Sequence, residues 1–189
     1  MTTEERIETF KTLCEKMNFE LTERFETWLK ENNFFTAPAS TKYHGAYDGG
    51  LFDHSLAVTK RLIKLTVDNK LEWQRKESPF IIGMFHDLCK CDQYIKVEGT
   101  PVEGTDMVLN YGTHYEYNKN TLLKGHGSKS VMILSMFVIL TEEEMLCIRY
   151  HMGPYEKEEW AEYDMAIHKY ENVLWTNHAD MVASKVDDI

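Results

Sequence analysis

The sequence predicts an all-α domain that carries one small inserted β-ribbon. Apolar side chains recur at helical spacing along most of the chain, which is the pattern of helices with one buried face. The stretch at about 92–120 departs from this pattern, because short alternating runs there are separated by turn residues. A chain of 189 residues can bury a sizeable core without disulfides, so we expect a single domain over 1–189.

Composition limits the classes of partner and compartment. The formal net charge of −10 argues against long nucleic acid as a partner, because such binding needs clustered Lys and Arg. The four cysteines show no framework spacing, and the chain shows no secretory signal and no apolar run of membrane-spanning length. We therefore expect a cytoplasmic protein with reduced thiols and no membrane contact. Composition leaves the oligomeric state open, a homodimer included.

Two amphipathic helices are predicted at the start of the chain, over about 2–18 and 21–31. Residues 36–40 (Thr-Ala-Pro-Ala-Ser) form a linker after them. We interpret 1–36 as N-terminal packing helices without chemistry of their own, and 40–186 as the functional core.

The third predicted helix runs from about 50 to 69 and carries a histidine on its buried face. His54 shares that face with apolar residues such as Leu51 and Val58. A lone histidine there is more often a satisfied core residue than a ligand. The His-Asp pair further along the chain makes His54 a candidate metal ligand. Asp53 either orients a ligand or faces solvent.

The fourth predicted helix, 79–88, is apolar almost all round and begins at a Ser-Pro helix start. It places His86 and Asp87 at its C-terminal end. A buried imidazole and carboxylate are costly to desolvate unless they are paired or bind a cation. This pair is therefore the centre of the predicted site, and Lys90 is expected at its rim.

Two further histidines are candidate ligands. His126 lies in a Gly-His-Gly segment at the entrance to a helix predicted over 128–140. His151 lies on a helix that begins with a capping box near Glu142 and ends before Gly153-Pro154, and it shares the buried face of that helix with Ile148. A capping role is the alternative for His126.

The C-terminal part supplies the last candidate. The last helix, predicted over about 167–186, carries Asp180, a further candidate ligand. Before it, 156–163 is predicted as a charged connection. There Tyr155 and Trp160 either overhang the site as a lid or anchor a solvated loop, and the sequence favours neither.

Four motifs in this order resemble the HD-domain superfamily of metal-dependent phosphohydrolases. They are H-x-A/G-Y-x-G-G-L-x-x-H-S at 44–55, H-D-L-x-K at 86–90, G-H-G-x-K-S at 125–130 and A-D at 179–180. The resemblance covers about 40–186. It is closest to the HD module of bacterial 3′–5′ exoribonucleases and to small HD proteins of phages and gut bacteria.

The resemblance implies an HD-domain helical bundle around one or two divalent transition-metal ions. Imidazole and carboxylate ligands without thiolate suit Fe, Mn, Zn, Co or Ni. One ion would be held by His54, His86, Asp87 and Asp180, and the other by Asp87, His126 and His151.

The implied activity is hydrolysis of a phosphate ester or anhydride by a metal-activated water. Asp87 and Lys90 are the expected catalytic residues, and Lys90, His44 and Tyr155 the expected substrate contacts. The exoribonuclease relatives carry a nucleic-acid-binding domain for which this chain has no room. We therefore expect a small nucleotide or a short oligonucleotide as substrate, and deoxynucleotide triphosphohydrolase activity stays open.

The chain departs from its relatives at two positions. Cys89 stands where they often have Gly, and Asn177 where they often have His. A lone C-x-C of Cys89 and Cys91 is a weak metal signal, so we interpret both as structural.

Three alternatives remain from the sequence. The same six ligands can hold a di-iron centre in an HD-type oxygenase. The fold can also serve a non-catalytic nucleotide-binding protein. Finally, a single ion would leave His126 and His151 as substrate contacts.

Overall fold

The computed structural model describes residues 1–101, 108–154 and 156–187. The protein is mostly helical and has one small sheet, as the sequence predicts. A short 3-10 helix at Leu88–Cys91 follows the fourth α-helix. The other elements are α1 (Thr3–Lys16), α2 (Glu23–Glu31), α3 (Gly50–Asn69), α4 (Ser78–Phe85), β1 (Tyr94–Pro101), β2 (Val108–Tyr117), α5 (His126–Leu134), α6 (Glu142–Arg149), α7 (Glu159–Lys169) and α8 (Asn172–Lys185).

The core is centred on α3, which packs against α4 and α8, while α6 packs against α5 and α8. Aromatic side chains fill the space between these helices and the N-terminal segment. Phe10 of α1 lies with its ring centroid 6.0 Å from that of Phe85, at the end of α4. Both rings are fully buried. Helix α1 therefore covers the end of α4 that leads into the predicted site.

Two glycines let helices approach closely enough to bring the predicted ligands together. A Cβ atom on Gly83 of α4 would lie 2.6 Å from Cα of Thr59 in α3. A Cβ atom on Gly127 of α5 would lie 2.2 Å from the carbonyl oxygen of Arg149 at the end of α6. Such contacts are too short for any side chain, so each crossing needs glycine.

The β-ribbon predicted within 92–120 is confirmed as a two-stranded antiparallel sheet of β1 and β2. Tyr94 pairs with Tyr117, and the register shifts between Glu98 and Thr100. The ribbon is tied to the loop before α3, because Nζ of Lys96 donates to Oδ2 of Asp48 at 2.6 Å.

Helix ends differ from the prediction at the two histidines near the centre. Helix α4 ends at Phe85 instead of residue 88, so His86 is its C-cap and Asp87 lies beyond it. Helix α6 ends at Arg149, so His151 lies in the turn after it. These ligand candidates therefore project from helix C-termini and not from helix faces.

The predicted helix over 128–140 begins at His126 and ends at Leu134. The hydroxyl of Ser135 donates to the carbonyl oxygen of Val131 at 2.7 Å, and such bonds compete with continuation of the helix.

The last helix, predicted over about 167–186, is α8, but it begins at Asn172, because residues 167–169 belong to α7 and the two helices are separated near Tyr170. Tyr170 is extended (φ −138°, ψ 98°), and its hydroxyl donates to Glu142 at 2.7 Å. The extended backbone at Tyr170 separates the two helices. Trp160, predicted in a connection, lies in α7.

Among the described residues, no helix has the length and apolar character needed to cross a membrane.

Candidate metal centre

The centre begins with His54, which α3 directs into the core. Its side chain is fully buried. Nε2 of His54 lies 3.0 Å from Oδ1 of Asp180 on α8 and 3.6 Å from Oδ2 of Asp87. The packing of α3 against both α4 and α8 brings these residues together.

His86 completes a first cluster with the same carboxylates. Its Nε2 lies 3.3 Å from Oδ2 of Asp87, 3.3 Å from Nε2 of His54 and 3.8 Å from Oδ1 of Asp180. Its Nδ1 lies 2.9 Å from the carbonyl oxygen of Gly83, which suits Nδ1 as the protonated nitrogen. The lone pair is then on Nε2, which faces the cluster.

A second cluster surrounds the other oxygen of Asp87. Oδ1 lies 2.9 Å from Nε2 of His126 and 3.4 Å from Nε2 of His151. Nδ1 of His151 lies 2.7 Å from the carbonyl oxygen of Ile148. Asp87 therefore presents one oxygen to each pair of histidines.

The donor set fits a transition metal. Nε2 of His151 is fully buried and makes no hydrogen bond with any described residue, although it points toward Asp87. A buried polar atom without a partner costs about 1–3 kcal/mol, so such an atom calls for a ligand. Ligand atoms of His54, His86 and Asp87 lie within 4.8 Å of one another, as do those of Asp87, Cys89 and His126.

The two carboxylates of the centre are kept ionised by the positively charged and hydrogen-bonding groups next to them. Burial on its own would raise the pKa of Asp87, but Lys90 and His86 outweigh it and hold that pKa well below its usual range. Burial would likewise raise the pKa of Asp180, and the hydrogen bond to His54 lowers it. Both carboxylates are therefore ionised at neutral pH.

The sequence predicts Lys90 at the exposed rim of the site, but the structure places it in the interior. Its side chain is 7% exposed, and its Nζ lies 2.7 Å from Oδ2 of Asp87. Burial would lower the pKa of Lys90, but Asp87 raises it above the usual value. The ammonium group is therefore charged and faces the first cluster.

Of the other two predicted substrate contacts, His44 lies beside the first cluster. The ring of His44 lies 5.1 Å from that of His54, and its Nδ1 is buried without a hydrogen bond to any residue in the described ranges. Burial, then the charges of His54 and Lys90, lower the pKa of His44 to about 4. Its imidazole is therefore neutral at pH 7. Tyr155 lies outside the described residues.

Sequence reasoning missed two groups that touch the ligands. Cys89, interpreted as structural, places Sγ 3.2 Å from Nδ1 of His126. Asn177 donates from Nδ2 to the carbonyl oxygen of His151 at 2.7 Å. Both positions were noted as departures from relatives, and that was the signal available in the sequence.

Asp53, next to His54 in the chain, does not face the clusters. It forms a two-point ion pair with Arg6 of α1, with N···O distances of 3.0 and 2.8 Å. It therefore joins α1 to α3 on the outer side of the ligand helix.

Two cavities meet at His126. One of about 430 Å³ extends over the start of α5 and the end of α6, and its lining includes Arg149, Tyr150 and Glu159. The other, of about 270 Å³, lies toward the ribbon. Gln93, Gly125 and His126 line both. Among the residues of the second cluster, His126 is the one that lines these cavities, so both reach the candidate centre at its ring.

Comparison with known proteins gives one partial relative. The chain is 34% identical over 74 residues to the dihydroneopterin 2′,3′-cyclic phosphate phosphodiesterase of Methanocaldococcus jannaschii. The match covers 38% of this chain and 30% of the relative. No protein-family model and no solved structure matches the chain. The HD-domain resemblance therefore stays a prediction, with a phosphodiesterase as partial relative.

Proposed function

We propose that the protein is a metal-dependent phosphohydrolase of the HD type, acting on a phosphate ester of a nucleotide or a short oligonucleotide. The observation that carries this proposal is the position of Asp87. Its Oδ2 faces His54 and His86, while its Oδ1 faces His126 and His151. A carboxylate placed in this way can bridge two cations.

The residues of the two clusters would hold the ions. Asp87 would be shared, with His54, His86 and Asp180 on one side and His126 and His151 on the other. Imidazole and carboxylate donors suit Fe, Mn, Zn, Co or Ni. Bound ions would polarise a phosphoryl oxygen and lower the pKa of a water.

The chain's own residues would prepare the site for an anionic substrate. Lys90 keeps Asp87 ionised and adds a buried positive charge beside the first cluster, where it would stabilise charge on a phosphate. Gly127 and Ser128, in the first turn of α5, line the larger cavity, and their backbone amides would be near a ligand there. Such amides lack helical acceptors and favour anions. His44, which is neutral, would contact the substrate near His54.

The two-sided cavity favours a phosphodiester over a terminal phosphate. A diester carries an organic group on each side of phosphorus, and His126 lies between two open spaces. The partial relative is named for a 2′,3′-cyclic phosphate phosphodiesterase activity, which agrees with this preference. We therefore place cyclic nucleotides and dinucleotides ahead of nucleoside triphosphates as substrates.

The experiment is a hydrolysis assay on cyclic nucleotides, dinucleotides, nucleoside monophosphates and deoxynucleoside triphosphates with added Mn²⁺, Co²⁺ or Ni²⁺. Wild type would be compared with His151→Gln, Asp180→Asn and, as a matched control, Asp68→Asn, which alters an exposed carboxylate on α3. We expect diester cleavage in wild type and the control, and a loss of about 100-fold or more in the two site variants.

Two outcomes would contradict the proposal. Nucleotide binding without turnover in any metal would indicate a binding protein. Iron-dependent oxygen consumption without release of a phosphate product would indicate an oxygenase.

A further inference from the structure

The imidazole of His126 is held differently from those of His86 and His151. The latter two direct Nδ1 toward backbone carbonyl oxygens. Nδ1 of His126 instead faces a thiol, since Sγ of Cys89 lies 3.2 Å away. Sulfur is a weaker hydrogen-bond acceptor than a carbonyl oxygen. His126 is therefore the more weakly anchored ring of the three.

The thiol of Cys89 is itself fixed in place. The residue is 1% exposed, and its backbone N–H donates to Oγ of Ser130 at 3.0 Å. Its Sγ lies 3.9 Å from Oδ1 of Asp87, the oxygen that faces the second cluster. The buried Nε2 of His151, which has no hydrogen-bond partner among the described residues, points at the same oxygen. That second observation marks the spot as a ligand site independently of the cysteine.

We propose that Cys89 is a positioning residue of the second cluster, whose sulfur accepts a hydrogen bond from Nδ1 of His126 and keeps Nε2 turned toward Asp87. This inference rests on the proposed metal centre. A direct ligand role fits less well, because the sulfur approaches the ring at Nδ1 while Asp87 approaches it at Nε2, 2.9 Å away. A proton on Nδ1 leaves the lone pair of Nε2 free to bind metal.

The consequence is that the two metal positions differ in affinity. The second position depends on His126, whose side chain is 18% exposed and whose Nδ1 faces a thiol, whereas the first cluster is almost fully buried. We expect the second ion to exchange more readily, and its affinity to depend on residue 89.

Calorimetric titration of Zn²⁺ into metal-free protein tests this with three variants. Cys89→Ala should weaken the second binding step by about 10- to 100-fold and leave the first unchanged. Cys89→Ser keeps a small hydrogen-bond acceptor and should recover most of that loss. Cys14→Ala removes a buried thiol from α1 and should match wild type.

NMR of the histidine rings provides a readout in the metal-free protein. Nuclear Overhauser contacts should give a single ring orientation of His126 in wild type and in Cys89→Ser, and a second orientation should appear in Cys89→Ala. A second affinity unchanged in Cys89→Ala would overturn the proposal. So would a sulfur-to-cobalt charge-transfer band in Co²⁺-loaded wild type, because it would identify a direct thiolate ligand.

Failure of the metal centre itself would look different. If wild type bound no metal, the proposed function would fail, yet the ring orientation of His126 would still report whether Cys89 positions it.

Discussion

Nζ of Lys90 lies 2.7 Å from Oδ2 of Asp87, and both side chains are almost inaccessible to solvent. The ammonium group is thus a built-in positive charge at the carboxylate that joins the two clusters. Pairing of this kind makes each partner depend on the other, because either charge alone would be buried without compensation.

Replacing Asp87 by Asn should destabilise the protein by about 3–5 kcal/mol, since Lys90 would lose its carboxylate partner. Urea denaturation in a chelator would measure this loss without a contribution from metal. Adding Lys90→Met should recover much of it. The control is Asp68→Asn, whose carboxylate is 50% exposed and paired with Lys64, and there we expect about 0.5 kcal/mol or less. If Asp87→Asn and Asp68→Asn lost the same free energy of unfolding, the result would contradict a buried Asp87–Lys90 ion pair.

The metal-free protein should lose stability in acid. Asp87 and Asp180 have folded-state pKa values below that of an unfolded aspartate, which is about 3.9. A depressed pKa stabilises the folded state above the unfolded value, and this contribution is lost as pH falls from there toward the folded value. Urea midpoints between pH 6 and pH 3 in a chelator would show the decline. Asp180→Asn should flatten the curve, and an equally steep decline in that variant would refute the assignment.

Asn177→Ala should weaken metal binding through His151 while the fold persists. The amide donates to the backbone carbonyl oxygen of His151 at 2.7 Å, so its removal would loosen the turn that presents the ring. We expect a stability loss of about 1 kcal/mol and a lower affinity for the second ion. His178→Ala, one position along α8 and exposed, is the control and should match wild type in both. Identical metal affinities in the two variants would show that Asn177 has no part in the site.

Gln93→Ala should change substrate use without changing metal content. Gln93 lines both cavities that meet at His126, yet it is not among the predicted ligands. We expect a rise in KM of about 5-fold for dinucleotides, because one hydrogen bond contributes about 1 kcal/mol. Elemental analysis should give the wild-type metal content. Gln74→Ala, an exposed glutamine outside these cavities, is the control. Unchanged KM values would place the substrate elsewhere.

Much of the fold could be predicted from the sequence, because its strongest signals are local. Helix α3 has the predicted bounds, since apolar spacing and the Gly-Gly start are both encoded nearby. The division between α7 and α8 was missed, because Tyr170 is held by Glu142, far away in the chain. Helical periodicity contains no information about such a contact.

The six predicted ligand residues lie together, but the contacts of Lys90 and Cys89 beside them could not be predicted from the sequence. Lys90 was expected at the rim because the short 3-10 helix after α4 was not predicted. That turn places the ammonium group of Lys90 next to Asp87. Cys89 was compared only with Cys91 in search of a thiolate pair. Its actual neighbour, His126, lies 37 residues later and is brought close by the packing of α5 on the turn after α4.

The most direct test of the central claim is the number of metal ions bound per chain. Elemental analysis of wild type, Asp180→Asn and His151→Gln, each reconstituted with Mn²⁺ or Zn²⁺ and freed of excess metal, would provide it. If Asp87 contributes one carboxylate oxygen to each cluster, we expect about two ions per chain in wild type and about one in each variant. Wild type without bound metal, or variants with the same content as wild type, would contradict it.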